Sequence, residues 1–311
     1  MNICPITYEP CAGEYFSKGG LRKLSRRLLT LRPLPFTAGE QIREAAARAS
    51  KMSIQGVQPK LSAVLDIKGG RFKVVNRGGK FILKPQNSLY SNVPENEDLC
   101  MKMASAAGID VPLTGLVSSS DASWTYFIRR FDRVGRSKKR HVEDFAQLAG
   151  KSRDTKYDAS MEQVVELVAR FCTFPRVEHA RLFRLTLFNF IIGNEDMHLK
   201  NFSILLADGK VTLSPAYDLL STTFAMGGAA TEELALPLGG RKNRVNRKLL
   251  VNYFGKERMG LPDKVIDRIL SEIRDAVLVW KHLVSVSFLP SAMKASFFSL
   301  LQDRLARLDL Q

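Results

Sequence analysis

Residues 178 to 193 read EHARLFRLTLFNFIIG, and from Leu182 onward apolar side chains point to most faces of the helix that this segment predicts. A helix that is apolar all round cannot lie on a surface. It has to run through a core and stop where Gly193 permits a left-handed cap. The next residues have the opposite chemistry: GNEDMHLKN, 193 to 201, packs two carboxylates, an imidazole, an ammonium and two amides into nine positions. Whatever the fold, this polar cluster is anchored to the end of a buried helix.

The spacing beyond the cluster suggests a use for it. Asp196 and Asn201 lie five positions apart, and Asp218 follows 17 residues after Asn201 in SPAYDLLS. Between them, FSILLADGKVTLSP reads as a hairpin with an Asp208-Gly209 turn. Phosphoryl transfer needs a carboxylate to accept the proton of the incoming hydroxyl, together with oxygen ligands that fix magnesium on the nucleotide phosphates. Asp, then Asn, a hairpin and a second Asp supply those groups. A capped helix end accounts for Asn194 or Asp196 alone, and a structural ion pair for Lys200 alone. For His198 a satisfied structural histidine remains the competing reading.

The first half of the chain has a different period. Leu21, Leu24, Leu28 and Leu31 predict a short basic amphipathic helix, and REAAARAS (43 to 50) predicts another. From Lys60 the segments KLSAVLDI, RFKVVN and KFILKP, separated by KGG and RGG, read as a meander of three antiparallel strands. SIQGVQPK (53 to 60), with Gly56 and Val57, opens it as a loop able to fold over an anion, although a plain turn explains it equally well. The third strand ends at Lys84, which needs an anionic partner if it faces inward. The helix expected over VPENEDLCMKMASAAG offers one, since Glu97 shares a face with Cys100, Ala104 and Ala107 and Pro94 suits the first turn, although acids that only favour the helix dipole explain the segment equally well.

The surface is basic, with 47 Lys and Arg against 31 Asp and Glu and a formal net charge of +16. Basic clusters at 21 to 32, 129 to 140 and 241 to 248 invite nucleic acid, an acidic protein or phosphate groups. No helix-turn-helix, RNA-binding aromatic motif or zinc finger accompanies them, so solvated faces and a protein partner are expected before direct nucleic-acid binding. Cys4, Cys11, Cys100 and Cys172 are too few and scattered for a disulfide framework and include no CxxC pair. No stretch approaches the roughly 18 to 20 apolar residues of a spanning helix. MNICPITYEP lacks a signal pattern, so a cytoplasmic protein without a membrane partner is expected.

Taken in order, SIQGVQPK, FILKP, ENEDLC, RRFDR, HVEDF, GNEDMHLKNFSIL and AYDLL, covering roughly residues 50 to 240, resemble the HipA-type serine/threonine kinases of bacterial toxin–antitoxin systems. HipA carries an additional N-terminal subdomain that this sequence lacks. That absence and the CPITYE opening make the chain similar to the HipT branch of three-part HipBST systems, where the missing piece is a separate small protein, HipS. The resemblance implies an α+β, two-lobed protein-kinase-like fold, with a small mainly β lobe over 1 to 128 and a larger helical lobe over 129 to 311. It implies ATP and Mg2+ as cofactors, Asp196 as base, and Asn201 and Asp218 as magnesium ligands. Lys84, held by Glu97, would contact the α and β phosphates. Backbone groups of Arg129 and Phe131 would hold adenine, and Asp132 would reach the ribose.

By the same likeness the loop with Ser53, Gly56 and Val57 would cover the nucleotide, with Ser53 autophosphorylated. Lys51 stands two positions before it, so no second phosphosite is expected there. His198 occupies the place where ordinary protein kinases put a lysine, and Lys200 completes the candidate catalytic set. Implied partners are a protein substrate, with an aminoacyl-tRNA synthetase of tryptophanyl type favoured, and HipS-like and HipB-like antitoxins. DNA is reached only through such a partner. A small-molecule kinase of the aminoglycoside or choline type, and a basic nucleic-acid-binding protein, stay open as alternatives. The glycine-rich stretch after Asp218, with Gly227 and Gly228 as hinges, suits a mobile segment, and apolar spacing from Asp263 onward predicts packing helices.

Overall fold

A computed structural model describes residues 2–11, 15–48, 58–87, 89–135, 138–152, 154–225 and 232–311. The chain opens with the paired short strands β1 (Asn2–Ile3) and β2 (Pro10–Cys11), then helices α1 (Lys18–Leu24) and α2 (Ala38–Arg48). The leucine spacing predicts a helix reaching Leu31, but α1 stops at Leu24, where Ser25 turns extended (φ −161°, ψ 138°). A remote side chain explains the stop. The Arg129 guanidinium donates to the carbonyl oxygens of Lys23 and Leu24 at 3.0 and 2.9 Å, satisfying groups that a longer helix would have used internally. Leu28 and Leu31 remain buried without being helical.

Five strands form one antiparallel sheet: β3 (Leu61–Asp66), β4 (Arg71–Val74), β5 (Phe81–Lys84), β6 (Thr114–Ser118) and β7 (Trp124–Arg129), in the order β4-β3-β5-β7-β6. This corrects the expected meander, because β5 pairs with β3 rather than with β4. The sequence of β4 explains its place at the edge. Only Phe72 is buried there, while Arg71 and Lys73 are exposed, and such charges protect an open edge from further pairing.

Side-chain alternation divides the sheet into two faces. Leu61, Ala63, Phe81, Leu83, Val117 and Phe127 pack on one side against Cys4, Ile6, Leu21, Leu24, Leu28 and Leu31. Leu116, Tyr126, Ile128 and Ile82 lie on the other side, against helix α3 (Val93–Ala106), in a larger core that continues through the rest of the molecule. Lys84 has the parity of Ile82, and register places it opposite Tyr126, so period two alone sends this lysine to the face that meets α3.

Beyond the sheet come the short pair β8 (Arg133–Val134) and β9 (Lys138–Lys139), strand β10 (His141–Asp144), and helices α4 (Phe145–Leu148), α5 (Met161–Phe171) and α6 (Pro175–Ile192). Helix α6 is the predicted apolar rod, with Leu182, Phe183, Leu187, Phe188, Phe190, Ile191 and Ile192 inaccessible to solvent. It ends at Gly193 in the left-handed region (φ 66°), where a Cβ would collide with Thr223. The hairpin follows as β11 (Ser203–Ala207) and β12 (Lys210–Leu213), its turn built by Asp208 (φ 51°) and Gly209 (φ 73°). Strand β10 adds to its free side.

Helix α7 (Thr222–Ala225), a π-helical stretch (Lys248–Arg258), α8 (Asp263–Val286) and α9 (Ser291–Ala306) complete the α+β fold. Trp280 on α8 donates its indole N–H to the carbonyl of Met103 at 2.8 Å, fixing α3 to the helical part. Among the described residues no helix is long and apolar enough to cross a membrane. Gly227 and Gly228 lie outside the described residues, as do Ser53, Gly56 and Val57.

Candidate active site

Lys84 leaves the end of β5 with 4% of its surface exposed and binds two carboxylates. Its Nζ donates to Glu97 Oε1 at 2.6 Å and to Asp218 Oδ1, a residue 134 positions away. Glu97 is 1% exposed, and its second oxygen, Oε2, has no hydrogen-bond partner. Burial pushes the Glu97 carboxyl up to about 7 against the pull of Lys84, with Asp218 adding to the rise. Burial also opposes the charge on Asp218, yet the ammoniums of Lys84 and Lys60 outweigh it and hold that carboxyl below its ordinary range. One cation thus serves two acids, and the more accessible acid keeps its charge.

Lys60 was not singled out by sequence reasoning. Extending the β3–β5 register places it across from Lys84, and it faces Asp218; burial lowers its pKa, with Lys84 adding to that effect. Asp218 has a left-handed backbone (φ 54°), uncommon outside glycine, and the segment after it is held from α3. Asn96, fully buried, donates its amide to the carbonyl of Ser221 at 2.8 Å and accepts the Ser221 N–H at 3.0 Å. The helix bearing Glu97 and the segment bearing Asp218 are therefore joined twice, through Lys84 and through Asn96.

The polar cluster after α6 is braced by its side-chain amides. Asn194 donates to Asn189 Oδ1 at 2.8 Å and accepts the Asp196 N–H at 3.2 Å, while Asn201 Nδ2 donates to the Asp196 carbonyl at 2.8 Å. The amide oxygen of Asn201 is left for another group. Tyr217 ties this loop to the Asp218 segment: its hydroxyl donates to the carbonyl of Lys200 at 2.9 Å and meets Ser203 Oγ. Asp196 keeps 46% of its side chain exposed and accepts a hydrogen bond from Tyr157.

His198 is 5% exposed, with Nε2 3.9 Å from Asp196 Oδ1 and Nδ1 buried without a partner; burial pushes its imidazole down, toward the neutral form. Lys200 points instead toward Asp144, at 3.6 Å, which caps α4.

The Arg129 N–H is already donated to the carbonyl of Leu113 at 2.8 Å, whereas the Phe131 ring stacks on Tyr217 with centroids 5.8 Å apart. Asp132 is held by arginines: Arg130 binds it at 2.9 and 2.7 Å and Arg133 also reaches it, and although burial works against the charge, these arginines hold its pKa down.

A model of the HipA-like C-terminal domain matches residues 52–280. The chain belongs to the HipA-like family. Within it, a Haemophilus influenzae protein named "Putative kinase" is 30% identical across 100% of this chain and 98% of its own length. "Putative kinase Y4dM" of Sinorhizobium fredii is 34% identical across 78% of this chain and 62% of its own length. The serine/threonine-protein kinase toxin HipA of Shewanella oneidensis is 27% identical, over 55% of this chain and 43% of that protein.

Among solved structures, Shewanella oneidensis HipA in complex with HipB and operator DNA superposes with a TM-score of 0.65 at 22% identity, covering 94% of this chain and 74% of HipA. The Helicobacter pylori proinflammatory kinase CtkA gives a TM-score of 0.55 at 13% identity, covering 74% of this chain and 88% of CtkA. The sheet and helices are thus the kinase-like fold of the HipA-like family.

Proposed function

We propose that this chain is an ATP- and Mg2+-dependent serine/threonine protein kinase acting as the toxin of a toxin–antitoxin system. The observation that carries the reading is the double engagement of Lys84, a buried ammonium bonded at once to Glu97 of α3 and to Asp218 of the segment after β12. A buried ammonium has three N–H donors, so Glu97 alone leaves it able to bind further acceptors. A lysine set beside a displaceable second carboxylate provides a site for phosphate oxygens at the meeting of the sheet and the helical part.

The donor set fits magnesium. Among the described residues no group of three or more His, Cys, Asp or Glu side chains forms a cage for a metal. One amide oxygen (Asn201) and one carboxylate (Asp218) suit an ion that takes its remaining ligands from water and phosphate. When bound, Mg2+ offsets negative charge on the nucleotide phosphates. In this reading nucleotide lies between a lobe of residues 1 to 128 and a lobe of residues 129 to 311. Glu97 keeps Lys84 aimed at the α and β phosphates, and Asp196 accepts the proton of the attacking hydroxyl. The Phe131 backbone holds adenine.

The likeness to Shewanella oneidensis HipA, solved in complex with HipB and operator DNA, supports an antitoxin of HipB type and DNA contact through it. A HipS-like partner, a tryptophanyl-type aminoacyl-tRNA synthetase as substrate, and autophosphorylation of Ser53 belong to the HipT form of this proposal. A phosphate on Ser53 would add nearly two negative charges beside the nucleotide and weaken ATP binding.

The test is phosphosite mapping by mass spectrometry after incubation with ATP, Mg2+ and purified synthetases, with Asp196→Asn as control. A serine or threonine phosphorylated by the wild type and not by the variant is the expected result. Label on a small metabolite alone would move the chain to the small-molecule kinases.

A further inference from the structure

Four hydrogen bonds hold Asp196, one of them from the His198 N–H to its carbonyl at 2.9 Å, and only one acts on its carboxylate. Asn194 accepts its N–H and Asn201 donates to its carbonyl, which fixes the backbone and leaves the side chain free to rotate. His198 Nε2, at 3.9 Å, is beyond hydrogen-bond reach. Tyr157, from the loop between α4 and α5, supplies what is missing: its phenol donates to Asp196 Oδ1. Its ring has two neighbours. The ring meets the His198 imidazole edge-on, with centroids 5.0 Å apart and planes at 83°, and the Lys156 ammonium lies 4.9 Å from its centroid. The Lys156 carbonyl accepts the Leu199 N–H at 3.3 Å, which ties this loop to the loop of Asp196. Burial and the neighbouring carboxylate keep the phenol protonated, so it is the donor.

We infer that Tyr157 is a positioning residue for phosphoryl transfer, holding Asp196 Oδ1 so that Oδ2 alone is presented to the acceptor hydroxyl. The inference rests on the kinase reading and adds a residue to it. In the step it serves, the acceptor oxygen forms a bond to the γ phosphorus as the bond to the β-phosphate oxygen breaks. ADP leaves with that electron pair, and the acceptor proton passes to Asp196 Oδ2. Tyr157 keeps its own proton throughout.

The test compares wild type, Tyr157→Phe and Asp196→Asn as full chains. The measurement is transfer of γ-32P from ATP, with Mg2+, to the pooled proteins of a bacterial lysate, taking Asp196→Asn as background. Tyr157→Phe keeps the ring on His198 and removes only the donor. The expected result is a kcat about tenfold lower, with KM for ATP and the binding of a fluorescent ATP analogue changed less than about twofold. An unchanged kcat overturns the inference, and so does a rise, which would make Tyr157 a screen over the base. A loss of kcat, ATP affinity and melting temperature together assigns it to structure alone and also overturns it. Wild type that binds ATP yet labels nothing above background sinks the kinase reading and this inference with it. Active wild type matched by Tyr157→Phe leaves the kinase reading standing.

Discussion

The charge cluster at Lys84 and the polar cluster at Asp196 are assembled in opposite ways. The first joins residues 84, 97 and 218 from three distant stretches, excludes water from Lys84 and Glu97, and sets one cation against two acids. The second comes almost entirely from positions 194 to 201, is stiffened by the side-chain amides of Asn194 and Asn201, and leaves Asp196 half-exposed. A buried charge cluster puts fold stability at stake with each member. In the second cluster the bracing falls to the buried amides of Asn194 and Asn201, so the exposed Asp196 side chain can change with little effect on the fold.

The sharpest way to break the contrast is Lys84→Met. Removing the ammonium leaves Glu97 buried and facing Asp218, with an expected loss of about 3 to 5 kcal/mol, read as a lower denaturant midpoint at unchanged slope. The matching change at the other cluster, Asp196→Asn, is expected to cost under about 1 kcal/mol while abolishing transfer. Equal losses would erase the distinction.

Next in size is a pH effect confined to the buried cluster. Glu97 ionises near 4.5 when unfolded and near 7 when folded, so between those values the folded chain holds a proton that the unfolded chain has released. Its contribution to stability is complete below about 4.5 and is lost as pH rises through about 7. Melting temperatures of wild type and Glu97→Gln, followed from pH 5 to pH 8, should therefore diverge, with the wild type declining relative to the variant. Parallel curves would show that Lys84 keeps Glu97 ionised throughout.

The smallest expected effect is at the rim of the polar cluster. Lys200, 30% exposed and 3.6 Å from Asp144, should cost under about 1 kcal/mol on replacement by Ala, because a partly solvated pair contributes little. Chemical denaturation checks this, and a larger loss would mean that Lys200 supports the loop in another way.

The same contrast governs what the sequence discloses. Helix α6, its Gly193 cap and the Asp208-Gly209 hairpin are legible because each is set by residues within a few positions of one another. The meeting of Lys84 and Glu97 was within reach, since the period of a strand and the period of a helix each say which face a residue occupies. Period does not say which strand neighbours which, so the order β4-β3-β5 was missed. Neither does it say that Arg129 ends α1 by binding its last carbonyls. Tyr157 and Lys60 gave no local signal. Each lies in irregular chain and acquires its meaning from a residue far away in sequence.

Helix α3 is riveted to the helical part at both ends, by Asn96 on the Ser221 backbone and by Trp280 on the Met103 carbonyl. It is a stator. An outward swing of Glu97 would have to tear out both rivets.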